Sequence, residues 1–156
     1  MDTSNHSAAI LDQFTRQAEL FARAPELHSE AVLAVMVEAA QPSKDHEALD
    51  VACGPGSVVV EMARWVRRSV GLDATPAMLD QARQLASERK QGNVEWHLGS
   101  VENLPYADGC FDIVSCRFAF HHFASPAAAF AEMLRVCRPG GRIVVCDGVA
   151  SDDPAK

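Results

Sequence analysis

No stretch of this chain approaches the run of about 18 apolar residues that a membrane span requires. Nor does its opening, MDTSNHSAAI, carry the basic flank and apolar core of a secretion signal. The expected compartment is therefore the cytoplasm, with no membrane partner. A basic excess is also lacking. The 14 Lys and Arg face 21 Asp and Glu, a formal charge of −7, whereas a protein that grips nucleic acid through phosphates carries a basic excess or stripe. The densest basic cluster, Arg64, Arg67 and Arg68, falls on one predicted helix and reads as a solvated face. A small-molecule partner is expected, and no nucleic acid. The five cysteines contain no CxxC pair. Several close apolar runs such as IVSC and IVVC, where a thiol serves as a small hydrophobe. No side-chain group has the spacing of a metal site, and there are no internal repeats.

What is present, 48% hydrophobic and 22% charged residues over 156 positions, suffices for one globular core. Residues 8–24 place Ile10, Leu11, Phe14, Ala18 and Phe21 on one helical face. Pro25 interrupts, and Leu27 to Ala40 reads as a second helix, apolar around most of its circumference. QPSKDHE is a polar loop. Strand and helix then alternate. Strands are predicted at Ala48 to Ala52, Ser69 to Asp73, Val94 to Leu98, Phe111 to Cys116 and Arg142 to Asp147. Between them the spacing predicts a helix over Ser57 to Arg68, with Val58, Val59, Met62, Ala63 and Val66 inward. A second, with Thr75 as N-cap and Pro76 in its first turn, buries Met78, Leu79, Ala82, Leu85 and Ala86. A third starts at Ser125-Pro126 and buries Phe130, Met133, Leu134 and Cys137. This order implies an α/β fold with a doubly wound, mostly parallel sheet.

The most informative segment is ALDVACGPGSVVVEMA, where an apolar strand runs through Cys53-Gly54-Pro55-Gly56 straight into a helix. Glycines there let the backbone approach a ligand closely, and the free N–H groups of the helix start favour an anionic or polar ligand group. In open α/β sheets ligands sit beyond the carboxyl ends of the strands, where this loop falls. Asp73 ends the second strand, and an acidic side chain at that place can accept two hydrogen bonds from ribose hydroxyls. Its alternative reading is a charge at the following helix N-terminus. Two cofactor classes fit such a unit, dinucleotides and S-adenosylmethionine. The dinucleotide pattern GxGxxG needs a third glycine, and Val59 stands there.

These motifs resemble the class I S-adenosylmethionine-dependent methyltransferases, in the small-molecule branch that includes the ubiquinone/menaquinone C-methyltransferases (the type 11 methyltransferase domain). The resemblance covers Gln41 to Asp147. LDVACGPG is similar to the first motif of that family and VGLDATPAMLDQAR to the second. GSVENLPYADGCFDIVSC resembles the stretch spanning the adenine pocket, and LRVCRPGGRIVVCD the entry to the fifth strand. The implied fold is Rossmann-like. Residues 1–40 form an N-terminal helical cap or lid, and residues 41–156 form the core that binds S-adenosylmethionine. Position by position, the resemblance implies that Asp50 orients the methionine ammonium while Ala52, Gly54 and Gly56 line the amino-acid end. Asp73 holds the ribose, Ala74 and Met78 pack near the adenine, and Ser100 and Val101 edge its other side. Cys116 and Arg117 border the methionine and the substrate entrance. Ala52 replaces the family's usual glycine, and Ser100 stands where an aspartate often accepts from the adenine amino group.

Methyl transfer from a sulfonium needs alignment first, worth about 7–11 kcal/mol, and a base only where the acceptor must lose a proton. His121 and His122, in RFAFHHF after the fourth strand, are the candidates for that base, not separable from sequence. His6, His28, His46 and His97 are expected to be structural or exposed. Phe14 and Phe21 either pack the first helix onto the core or belong to a lid that brings Phe14, Arg16 or Gln17 near the acceptor. The Asn/Asp-Pro-Pro-aromatic signature of enzymes that methylate adenine N6 or glutamine is missing, which leaves a small acceptor at C, O, N or S. Methyltransferases of this class continue past the fifth strand with a helix and an antiparallel strand pair, whereas this chain reaches SDDPAK soon after Asp147. The sheet is therefore expected to look truncated at that edge, as a fragment of a longer protein or one whose edge a partner chain, such as a homodimer mate, covers.

Overall fold

A computed structural model describes residues 3–148, with the side chains of residues 3–7, 26 and 27 left aside. Five parallel strands lie in the order β3-β2-β1-β4-β5: β1 (Glu47–Val51), β2 (Arg68–Asp73), β3 (Val94–Leu98), β4 (Phe111–Arg117) and β5 (Cys137–Cys146). Five helices accompany them: α1 (Thr3–Arg23), α2 (Glu30–Ala40), α3 (Ser57–Met62), α4 (Pro76–Glu88) and α5 (Pro126–Val136). The chain winds outward from β1 to β3, then returns to place β4 and β5 on the other side. The direction of winding thus changes between β1 and β4, the place where open α/β sheets form ligand crevices.

β4 is buried along its whole length and β1 along all but its first residue, as central strands covered on both faces should be. On one face Leu49, Val51, Val114 and Cys116 pack against Met133 and Val136 of α5. On the other, Ala48 and Ile113 meet Ala40 of α2, Met62 of α3 and Val66 from the turn after α3.

The elements differ from expectation at instructive places. The second helix is split, a 3₁₀ turn at Pro25–His28 preceding α2. α3 stops at Met62, six residues early, because Asn93 Nδ2 donates to the carbonyls of Ala63 at 2.9 Å and Val66 at 3.1 Å. Those carbonyls therefore need no further helical turn. The basic cluster accordingly does not share a helix. Arg64 pairs with Glu61 at 3.1 Å, while Arg67 and Arg68 converge on Glu47 at 2.6 Å each. α5 buries Ala129, Met133 and Val136, whereas Phe130 and Leu134 are exposed. Val145 of β5 is exposed as well. Thr75 occupies the N-cap of α4 without a side-chain capping bond, while Ser125 caps α5 by accepting from the Ala128 N–H at 3.3 Å. All five cysteines are free thiols, Cys110 alone among them exposed.

Candidate functional site

The loop after β1 coils tightly because Ala52, Gly54 and Gly56 all have positive φ, at 51°, 53° and 88°. The last two need glycine for different reasons. A Cβ on Gly56 would lie 2.7 Å from the Trp96 ring and 2.8 Å from Ala82, whereas one on Gly54 would meet nothing within 4 Å. The coil is tied to the end of β2 by Asp73, whose carboxylate accepts the Gly54 N–H at 2.8 Å and the Thr75 N–H at 2.9 Å. Across the sheet, Ser115 Oγ of β4 donates to Asp50 Oδ1 of β1 at 2.6 Å.

Both carboxyls are buried, and burial pushes both above the ordinary range. Asp50 rises to about 7 from 3.8, with the Ser115 hydroxyl and the Arg117 charge pulling the other way. Asp73 also rises through burial, moderated by its backbone donors from Gly54 and Thr75.

A cavity of about 240 Å³ opens beyond the strand ends, with both carboxylates in its wall. The glycine coil contributes Ala52, Cys53, Gly54 and Pro55, and the start of α4 contributes Ala74 and Met78. Ser100, Val101 and Glu102 follow β3, and Arg117, Phe118 and His122 follow β4. Ile10, Leu11, Phe14 and Phe21 of α1 close the mouth. The outer part is thus apolar and aromatic, with Phe14 edge-on to the His122 ring at 5.2 Å and tilted on Phe21 at 5.4 Å.

The geometry has a counterpart among known proteins. A family model described as a methyltransferase domain matches residues 49–145, from β1 through β5. The chain belongs to this methyltransferase family. The uncharacterised methyltransferase YcgJ of Bacillus subtilis is 33% identical over 141 residues, 90% of this chain and 56% of the relative. Its crystal structure superposes with a TM-score of 0.75 at 34% identity, over 80% of this chain and 53% of that one. The demethylmenaquinone methyltransferase of Deinococcus radiodurans is 43% identical over 101 residues, 64% of this chain and 42% of the relative. The chain thus spans about half the length of the curated relatives it matches. A phosphoethanolamine N-methyltransferase of Haemonchus contortus, solved with phosphoethanolamine and S-adenosylhomocysteine, shares the fold. Its TM-score is 0.76 at 14% identity, over 91% of this chain and 31% of that one.

In this methyltransferase domain, nine of the eleven cofactor-site candidates read from the sequence line the cavity: Asp50, Ala52, Gly54, Asp73, Ala74, Met78, Ser100, Val101 and Arg117. Two do not. Gly56 is turned against Trp96 and Ala82. Cys116 points into the core, because successive side chains of a strand face opposite sides and its neighbours Ser115 and Arg117 take the other one. The two histidines are also separated. His122 lines the cavity, while the His121 Nδ1 lies 2.7 Å from Asp147 Oδ1, outside the lining. On α1, Phe14 faces the cavity, but Arg16 pairs with Asp12 and Gln17 with Gln13 on the exposed side.

His28, expected to be structural, bridges Ser57 Oγ at 3.0 Å and the Ala22 carbonyl at 2.5 Å. The lining residues that sequence reasoning passed over include Glu102, Phe118 and Phe123. Phe118 carried no signal, since its left-handed φ of 53° appears only in the fold. Glu102, two residues past Ser100, was the nearest carboxylate to the substituted position and was the findable one.

Proposed function

We propose that the chain is the cofactor-holding part of an S-adenosylmethionine-dependent methyltransferase that acts on a small organic acceptor. Membership of the methyltransferase family supports the class. The observation that carries the reading is Asp73. Its buried carboxylate lines the cavity at the end of β2, with Oδ2 held by the Gly54 N–H and Oδ1 by the Thr75 N–H, at the place where a carboxylate can accept ribose hydroxyls. The open space beside Gly54 leaves room for a ligand against bare backbone. Val59, where a dinucleotide site needs glycine, is fully buried against the core, which disfavours a nicotinamide cofactor.

In this reading Asp73 holds the ribose, Met78, Ala74 and Val101 enclose the adenine, and Asp50 faces the methionine ammonium beside Ala52 and Gly54. The cofactor supplies a methyl carbon on a sulfonium, a good leaving group. The chain supplies alignment and exclusion of water. α1 covers the mouth, Phe14 and Phe21 offer an apolar face to the acceptor, and His122 is placed to take a proton from it. Residues 1–40 then act as a lid over the core.

Calorimetric titration with S-adenosylhomocysteine tests the reading. The native chain binds, and Asp73→Ala weakens binding at least tenfold, with Asp73→Asn intermediate because one oxygen remains. Absence of binding by the native chain, or equal binding by Asp73→Ala, overturns it. Binding of NADH instead would restore the nicotinamide alternative.

A further inference from the structure

The expected pair of histidines is not a pair of equals, and the difference lies in Asp147. This residue follows the last β4–β5 partner pair, Arg117 with Cys146. Past β4 the chain turns at Phe118, whose N–H donates to the Cys146 carbonyl at 2.8 Å. It then winds through a short 3₁₀ turn, Phe120–His122, which brings His121 back over the end of β5.

Asp147 grips that turn twice. Its Oδ2 accepts the His121 backbone N–H at 3.1 Å, and its Oδ1 lies 2.7 Å from His121 Nδ1. The Gly148 N–H, donating to Oδ1 at 2.8 Å, holds the carboxylate itself. Partial burial alone would raise the Asp147 carboxyl, but the donors from Gly148 and His121 outweigh it and hold it below the ordinary range. An ionised Asp147 requires a proton on His121 Nδ1, which sets the orientation of that ring. The His121 ring lies 4.0 Å from the His122 ring, centroid to centroid. His122 in turn faces the cavity, edge-on to Phe14 of the α1 cap.

We propose that Asp147 is a positioning residue: by fixing the ring and the backbone of His121 it holds the 3₁₀ turn so that His122 presents its imidazole to the acceptor. The proposal rests on the methyltransferase reading for its chemistry. In that chemistry His122 takes the acceptor's proton. The acceptor's electron pair forms the bond to the methyl carbon, and the carbon–sulfur bond breaks with its pair going to sulfur. The acceptor class implied is one with an ionisable X–H, where a base is needed, rather than a neutral amine or thioether.

The test reads the histidine rings directly. In the native chain, long-range nitrogen–proton spectra should show His121 protonated at Nδ1, the form that an unrestrained neutral imidazole disfavours. A through-space contact between the His122 and Phe14 rings should also be present. Asp147→Ala should lose the fixed His121 form and the His122–Phe14 contact. Asp147→Glu should recover both in part, which a role in bulk packing would not predict. Asp147→Asn, which preserves shape, answers the same question if the alanine variant is poorly folded. An unchanged His121 form with an intact His122–Phe14 contact in the alanine and asparagine variants overturns the proposal. Calorimetry with S-adenosylhomocysteine is run on the same samples, and affinity within about twofold of native is expected for each variant. If the native chain does not bind it, the methyltransferase reading fails, while the spectra of the ligand-free chain still decide the role of Asp147.

Discussion

Ser115 and Asp50 are 65 residues apart in sequence, yet the Ser115 hydroxyl donates to the Asp50 carboxyl at 2.6 Å between neighbouring central strands. Both side chains are buried, and burial makes Asp50 a reluctant anion, with a pKa of about 7. Between the ordinary 3.8 and about 7 the folded chain holds a proton that the unfolded chain has lost. Stability therefore falls as pH rises through that window. Asp50→Asn should flatten the slope and make the ligand-free chain more stable than native at pH 8, by on the order of 1–3 kcal/mol. Urea denaturation at pH 5 and pH 8 measures it.

The same group should couple ligand binding to a proton. A cationic ammonium beside Asp50 favours its ionised form. Binding of S-adenosylhomocysteine at pH 6 should then release a large part of one proton, and affinity should weaken as pH falls below about 7. Calorimetry in two buffers of different ionisation enthalpy detects the release, and Asp50→Asn should abolish it.

Gly54 and Gly56 should respond differently to alanine. Gly56→Ala drives a Cβ into Trp96 and Ala82 at a φ of 88°, and a cost of about 2–4 kcal/mol is expected. Gly54→Ala meets open space, so only the left-handed backbone is penalised, by about 1 kcal/mol. Its methyl group projects where the ligand approaches, so the affinity loss should exceed the stability loss. Thermal melts and ligand titration on the two variants separate these effects.

Glu102 is expected to matter more to binding than Ser100. Ser100 Oγ already accepts the Glu102 N–H at 3.3 Å, while Glu102 spends one oxygen on the Ser125 N–H at 2.9 Å and lines the cavity. A carboxylate accepts more strongly than a hydroxyl. Glu102→Gln should weaken S-adenosylhomocysteine by about 1–2 kcal/mol, and Ser100→Ala by less than half of that. The reverse order would return the adenine contact to Ser100.

Phe14 is half-buried, so Phe14→Ala should cost only about 1 kcal/mol of stability. Its ring spans from Phe21 to His122 across the cavity mouth. Dissociation of S-adenosylhomocysteine should accordingly speed up several-fold, measurable by rapid mixing with a competitor. An unchanged rate would remove α1 from the role of a lid.

Local pattern was enough for most of the scaffold. The alternation of apolar strands with amphipathic helices dictates a parallel sheet, and a glycine coil leading into a helix marks where a ligand meets backbone. Asp73 was legible because its partners, Gly54 and Thr75, belong to the same strand–loop–helix units that the pattern revealed. What depended on partners distant in sequence was not legible. α3 ends early where Asn93, from beyond α4, satisfies the carbonyls of Ala63 and Val66 just past it. Cys116 turns inward while Arg117 turns toward the cavity because strand alternation becomes meaningful only once the sheet's faces are assigned.

His121 and His122, adjacent and chemically identical, could not be told apart by any local rule. Only the fold brings the end of β5 beneath the turn that follows β4, so that Asp147 takes one ring and the cavity receives the other. The sequence by itself determined the layers and the place of Asp73 at the end of β2 beside the glycine coil, since these follow from periodicity and from contacts between neighbouring elements. The tertiary structure alone decided which histidine faces the cavity, because the other is held by a side chain 26 residues away.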